Sequence, residues 1–129
     1  MRFLLDTHVL IWMLIEPEQL STASSAAIQN PDNVIFYSTV SIWEIATKHR
    51  LGRKSEPPLS GREAVDLATR SGCQSLALLP DHAVMLDAMP AFHHDPFDRM
   101  LIAQARFERL ILISRDAEFS QYDIDVLKP

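Results

Sequence analysis

Cysteine is almost missing from this chain of 129 residues: Cys73 stands alone. No internal disulfide and no thiolate metal cage can be built from it, and its ordinary role is that of a small, partly buried hydrophobe. Long apolar runs are missing too. Nothing approaches the roughly 18 uncharged apolar residues of a membrane span, and the apolar start Phe3-Leu4-Leu5 is cut at once by Asp6. That start is also too short for a secretory signal, and no small-residue cleavage site follows it. A soluble, cytoplasmic protein with no membrane partner is therefore expected. A surplus of positive charge is the third absence, with 12 Lys and Arg against 17 Asp and Glu and a net charge of -5. Holding nucleic acid by charge alone is excluded on that count. Nucleic-acid chemistry is not, because acids clustered around divalent cations make the formal count overstate the charge of the occupied surface. There is no internal repeat and no low-complexity tract. With 47% of its residues hydrophobic, the chain can bury one sizeable core, and a single domain over residues 1–129 is expected.

What is present alternates between two periodicities. Arg2 to Leu5 reads as a strand closed by Asp6-Thr7, and Val9, Leu10, Ile11, Trp12 and Leu14 recur at helical spacing until Pro17. Ser21 to Asn30 reads as a helix begun by a hydroxyl cap, and Val34 to Tyr37 as a buried strand. A further helix with Ile42, Ile45 and Ala46 inward ends near Leu51-Gly52, and Arg53 to Gly61 is the most loop-like stretch. Ser60 to Ser71 reads as a helix, Leu76 to Leu79 as a strand and Pro80 to Met89 as a helix with Pro in its first turn. After the polar connection Phe92 to Pro96 come a helix over Phe97 to Phe107, a strand over Leu110 to Ile113 and an edge strand over Ile124 to Leu127. Strands with uniformly apolar interiors, separated by helices, predict an α/β fold with a mainly parallel central sheet covered on both faces.

Ligands in such sheets bind beyond the carboxyl ends of the strands, and the informative acids fall there. Asp6 ends the first strand and Asp116 lies three residues beyond Ile113. Glu44 and Asp98 lie in the opening turns of helices that follow a strand and the polar connection. Each has an ordinary explanation. Ser41-Ile42-Trp43-Glu44 fits a capping box, Asp95-Pro96-Phe97-Asp98 fits a cap with a first-turn acid, Asp6 with Thr7 can start a helix, and Asp116 can sit in an Asx turn. Their coincidence at one rim is the argument. Acids gathered there repel one another and should raise a carboxyl pKa, a cost tolerated when cations neutralise them. An oxygen-only donor set points to Mg²⁺ or Mn²⁺ and to phosphodiester hydrolysis, in which one or two ions activate a water, polarise the phosphate and stabilise the leaving oxygen. Thr7, Ser38 and Ser114 are hydroxyls near these acids, candidates to orient carboxylates or metal-bound waters and equally candidates for turn or cap positions. Lys48-His49-Arg50 with Arg53 and Lys54 is a candidate basic patch for a nucleic-acid backbone, or a solvated helix end.

Phe3-Leu4-Leu5-Asp6-Thr7-His8, Ser41-Ile42-Trp43-Glu44-Ile45, the block from His93 to Ala105 containing Asp95-Pro96-Phe97-Asp98-Arg99, and Ser114-Arg115-Asp116 resemble the successive motifs of VapC-type PIN domains. The resemblance spans almost the whole chain. It implies a PIN-like three-layer α/β/α fold and a divalent-metal-dependent endoribonuclease, the toxin of a type II toxin-antitoxin pair. It also implies a homodimer, an antitoxin partner and an RNA substrate. Residue by residue it places the acidic site on Asp6, Glu44, Asp98 and Asp116. Asp95 joins Thr7, Ser38 and Ser114 in support, and Arg99 joins Lys48, Arg50 and Arg53 as RNA-binding cations. Ser114 stands where many relatives have Thr and keeps the hydroxyl. His93 and His94 are read as loop residues rather than ligands. An inactive PIN-like RNA- or protein-binding module is the alternative. An aspartyl-phosphate receiver is disfavoured, since there is no Asp-x-Asp at Asp6 and no lysine between Ser114 and Asp116. The apolar residues Trp12, Leu14, Ile15 and Trp43 are expected near the rim as an antitoxin surface.

Overall fold

Apolar strands without alternation need cover on both sides, and the computed structural model, which describes residues 1–52, 57–92 and 95–129, provides it. In chain order the strands are β1 (Arg2–Leu5), β2 (Val34–Ser38), β3 (Gln74–Leu76), β4 (Ile111–Ile113) and β5 (Val126–Leu127). The helices are α1 (Thr7–Ile15), α2 (Thr22–Gln29), α3 (Thr39–Leu51), α4 (Gly61–Arg70), α5 (Pro80–Val84) and α6 (Pro96–Glu108). Short 3₁₀ turns cover Pro17–Gln19, Met85–Asp87 and Ala117–Tyr122. The sheet runs β3-β2-β1-β4-β5 with every pairing parallel. Alternate side chains of the strands enter different cores. Phe3, Leu5, Ile35, Tyr37 and Ile113 pack with Val9, Leu10, Ile45, Ala64 and Ala68 of α1, α3 and α4. Leu4, Leu112 and Phe36 pack on the other side with Leu101, Ile102 and Ala105 of α6. The expected three layers and parallel sheet are both present.

Two expectations need correction. The strand expected over Leu76 to Leu79 lies instead at Gln74–Leu76, paired with Phe36 to Ser38 of β2. An edge strand is located by backbone pairing with its one neighbour, so the apolar stretch beside it marks the wrong segment. Beyond Leu76 the backbone turns to side chains: Leu78 N–H donates to Thr39 Oγ1 at 3.3 Å and Leu79 N–H to His82 Nδ1 at 3.0 Å. The helix expected to reach Met89 closes as α5 at Val84 and continues as a 3₁₀ turn to Asp87. Arg53, Lys54, His93 and His94 lie outside the described residues.

Candidate active site

Five parallel strands put all their carboxyl ends on one rim. At the end of β1, Asp6 has extended backbone and caps α1, its Oδ1 accepting from Val9 N–H at 3.0 Å. Its Oδ2 accepts from Ser114 Oγ, just past β4, at 2.5 Å. Ser114 Oγ in turn accepts Asp116 N–H at 3.1 Å, and Asp116 caps the following 3₁₀ turn through Glu118 N–H at 2.9 Å. The loops after two adjacent strands are thus tied through one serine. Asp6 is 8% exposed. Burial pushes its pKa above the ordinary aspartate value, opposed by the Ser114 and Val9 hydrogen bonds and then by His8 and Arg115. The repulsion between acids expected from the sequence is therefore not the cause; loss of water is.

Glu44 reaches the rim by another route. Ser38, the last residue of β2, caps α3 by accepting Val40 N–H at 3.0 Å and donates to the buried Gln104 Oε1 at 2.5 Å. This corrects the capping-box reading of Ser41 and Glu44. Ser41 is inside the helix, buried, and accepts from Thr7 Oγ1 at 3.0 Å. Glu44 has no capping task and points into the rim, where Lys48 Nζ stands 2.5 Å from Oε2. Its Oε1 is buried and has no hydrogen-bond partner among the described residues.

On α6 the capping reading holds for Asp95, whose Oδ1 accepts from Phe97 N–H at 2.8 Å and Asp98 N–H at 3.0 Å, with Pro96 opening the helix. Asp98, one turn in, faces the rim. Asp6, Glu44, Asp95, Asp98 and Asp116 together line a cleft of about 190 Å³ with Thr7, His8, Lys48, Arg115 and Phe119. Against this geometry, the sequence profile described as PIN domain matches residues 3–125. The chain belongs to the PIN-domain family.

Within that family it stands with the VapC-type ribonucleases. It is 32% identical over 123 residues to Ribonuclease VapC22 of Mycobacterium tuberculosis, covering 88% of this chain and 85% of that one. Its fold is similar to VapBC2 from Rickettsia felis bound to a promoter DNA fragment, with a TM-score of 0.74 at 12% identity over 98% of each chain. It is also similar to DNA-bound VapBC from Salmonella typhimurium, with a TM-score of 0.69 at 17% identity over 98% of this chain and 97% of that one.

The donor set of this PIN domain fits a hard divalent cation. It consists of carboxylate oxygens, and one of them, the buried Glu44 Oε1, has no hydrogen-bond partner among the described residues. Among the described residues no three acids or histidines are gathered tightly enough to hold an ion, and Lys48 Nζ stands on Glu44 Oε2. Of the other expected site residues, Ser114 lies behind Asp6, and Ser38 is buried against Gln104 rather than in the cleft. Lys48 lines the cleft, Arg50 is exposed on the last turn of α3, and Arg99 Nη1 donates to Pro90 carbonyl at 2.9 Å. Gln104 and Arg115 fall within the quoted motifs, but local sequence assigned neither a role in the site. Gln104 is fully buried and ties α6 to both Ser38 and the Ala77 carbonyl. Arg115 lines the cleft and lies 5.1 Å from the Trp12 ring centroid. A polar residue amid Leu101, Ile102, Ala103 and Ala105 was the available signal for Gln104.

Proposed function

We propose that this single PIN domain, residues 1–129, is a cytoplasmic endoribonuclease that hydrolyses RNA phosphodiester bonds with Mg²⁺ or Mn²⁺, and is the toxin of a toxin-antitoxin pair. The carrying observation is the buried Oε1 of Glu44, without a hydrogen-bond partner among the described residues, in a cleft lined by Asp6, Asp98 and Asp116. A bound divalent ion supplies Lewis acidity at the scissile phosphate and makes an attacking water more acidic. The protein's share is positioning. Asp6, Glu44, Asp98 and Asp116 hold the ion. Ser114 fixes Asp6 and the Asp116 loop, Asp95 fixes the first turn of α6, Thr7 bonds to α3, and Ser38 sets where that helix starts. Lys48, Arg50, Arg53 and Arg99, joined by Arg115, bind the RNA backbone. The oxygen of water replaces one bridging oxygen on phosphorus, and the displaced oxygen leaves with a proton.

The same reading gives the chain a homodimeric state and an antitoxin partner, supported by relatives whose structures are described as VapBC complexes. Trp43, 57% exposed, and Ile15, 36% exposed, are the apolar residues offered to an antitoxin segment. The deciding experiment incubates single-stranded and hairpin RNAs with the protein plus Mg²⁺, Mn²⁺ or chelator. Cleavage is expected with metal only. Glu44→Gln, which keeps shape and loses charge, should lower the rate at least about 100-fold, on the scale of losing a charge-stabilising group. Undiminished cleavage by that variant, or by chelated protein, would refute the assignment.

A further inference from the structure

Lys48 follows Glu44 by one helical turn on α3, a spacing that on an exposed helix contributes little because water screens both charges. This pair is not exposed in that way. The Glu44 side chain is only 7% accessible against 38% for Lys48, their separation is 2.5 Å, and the second Glu44 oxygen is buried without a partner among the described residues. A buried carboxylate without counter-charge is strongly disfavoured, so the ammonium compensates what water cannot. It also lies 5.9 Å from the centroid of Phe97, in the α6 turn that carries Asp98. Lys48 therefore spans the gap between the two helices that supply acids to the cleft. Five carboxylates line that cleft, and Lys48 is set directly on one of them at Glu44.

We propose that Lys48 is a tethered counter-ion: in the metal-free protein its ammonium holds the cation position on Glu44, and a divalent ion binds by displacing it. The inference rests on the reading of Glu44 as a metal ligand. Competition of this kind lowers the apparent metal affinity by the fraction of molecules in which Glu44 is open. It also keeps the empty cleft from repelling itself apart. Once displaced, the ammonium remains on the cleft wall, which Lys48 shares with Thr7 and His8, where a substrate phosphate would need a positive neighbour. Lys48 is a positioning and affinity-setting residue, with no bond made or broken at its nitrogen.

The test is calorimetric titration of Mn²⁺ into the parent protein, Lys48→Met, Lys48→Arg and Arg115→Gln, with melts of each in chelator. Lys48→Met should bind Mn²⁺ about five- to tenfold more tightly than the parent and melt lower without metal. Lys48→Arg, which keeps the charge, should stay near the parent. Arg115→Gln removes the same charge from the same rim without touching Glu44, and should gain no more than about twofold. An equal gain in Arg115→Gln would mean that general charge, not displacement, sets the affinity. A Lys48→Met affinity equal to or weaker than that of a metal-binding parent overturns the inference and leaves the metal site standing. A parent that takes up no Mn²⁺ overturns both. A measurement free of any substitution follows the ¹⁵Nζ resonance of Lys48 during Mg²⁺ titration of the parent. It should shift or broaden as the ion saturates, and an unmoved resonance at saturation overturns the displacement.

Discussion

Asp6 shows how one residue carries two readings at once. It caps α1 through Val9, as any helix-starting aspartate does, and it also faces the cleft with a carboxyl that burial has pushed up in pKa. Such a carboxyl binds a proton in the folded chain at pH values where the unfolded chain has already released it. Stability of the metal-free protein should therefore fall as pH rises from near the unfolded value through the raised folded value, and stay lower above it. Asp6→Asn removes the charge and keeps one acceptor oxygen, which serves the Val9 cap, while its amide nitrogen replaces the oxygen that accepts from Ser114. In chelator it should flatten that pH dependence and melt above the parent at neutral pH, while losing metal binding. Thermal melts from pH 4 to pH 8 check this, and a variant that melts lower than the parent throughout would show that Asp6 serves the fold alone. Sequence placed Asp6 at the rim, since it ends an apolar strand. It could not supply the cause of the shift, because burial depends on what β4 and its loop bring over the carboxyl.

Among the elements, α6 separates what the sequence left joined. Asp95 and Asp98 both fall near its start, and both invite the capping explanation. Asp95 takes it, with two backbone N–H groups on Oδ1, and Asp98 is left to the cleft. The two should respond in opposite ways. Asp95→Ala loses a helix cap, which costs about 0.5–2 kcal/mol and lowers the melting temperature with or without metal. Asp98→Asn should raise the metal-free melting temperature, since it reduces the negative charge of the cleft. That gain is offset in part by weaker interaction with the helix dipole, roughly 0.3 to 1 kcal/mol. It should also be stabilised less by Mn²⁺ than the parent. Melts of the three proteins in chelator and in saturating Mn²⁺ read both effects, and a parent that ignores Mn²⁺ defeats the site assignment. On α3 the motif was legible but its grammar was not: a serine three residues before a glutamate suggested a box, yet Ser38 had already begun the helix. Which of several hydroxyls caps is decided by where the preceding strand stops pairing, and β2 pairs through Ser38.

At the scale of the whole molecule, anything that binds only the folded chain stabilises it by mass action, about 2.7 kcal/mol when its concentration is one hundred times Kd. The metal should act this way on the cleft, and a protein partner on the outer surface. The surface expectation needs adjusting for that purpose. Trp12 is half-buried, with His8 edge-on at 6.4 Å and Arg115 over its ring at 5.1 Å, so replacing it disturbs the cleft wall. Trp43 is more exposed, packed edge-on against Phe97 at 4.9 Å. Trp43→Ala should weaken the complex with the cognate antitoxin by at least about tenfold, as a truncated aromatic anchor does, with metal-dependent RNA cleavage largely kept. Equal affinity of parent and variant in a titration would place the partner elsewhere.

The amino-acid order by itself determined the layer architecture, because apolar strands without alternation can be satisfied only between two helical faces. It also put Asp6 and Asp116 near the rim, because parallel strands deliver the residues that follow them to the same edge. Only the tertiary structure decided the rest. The edge strand settled at Gln74–Leu76 because its register comes from β2, not from its own side chains. Asp6 lost its water through the burial that folding imposes on it, while Ser114, far along the chain, supplies a hydrogen bond to its carboxylate. The Glu44–Lys48 pair has a buried carboxylate and a half-buried ammonium instead of two exposed charges, with Phe97 of α6 packed beside the ammonium. Each of these depends on groups far apart in the chain, and no local pattern encodes the distance between them.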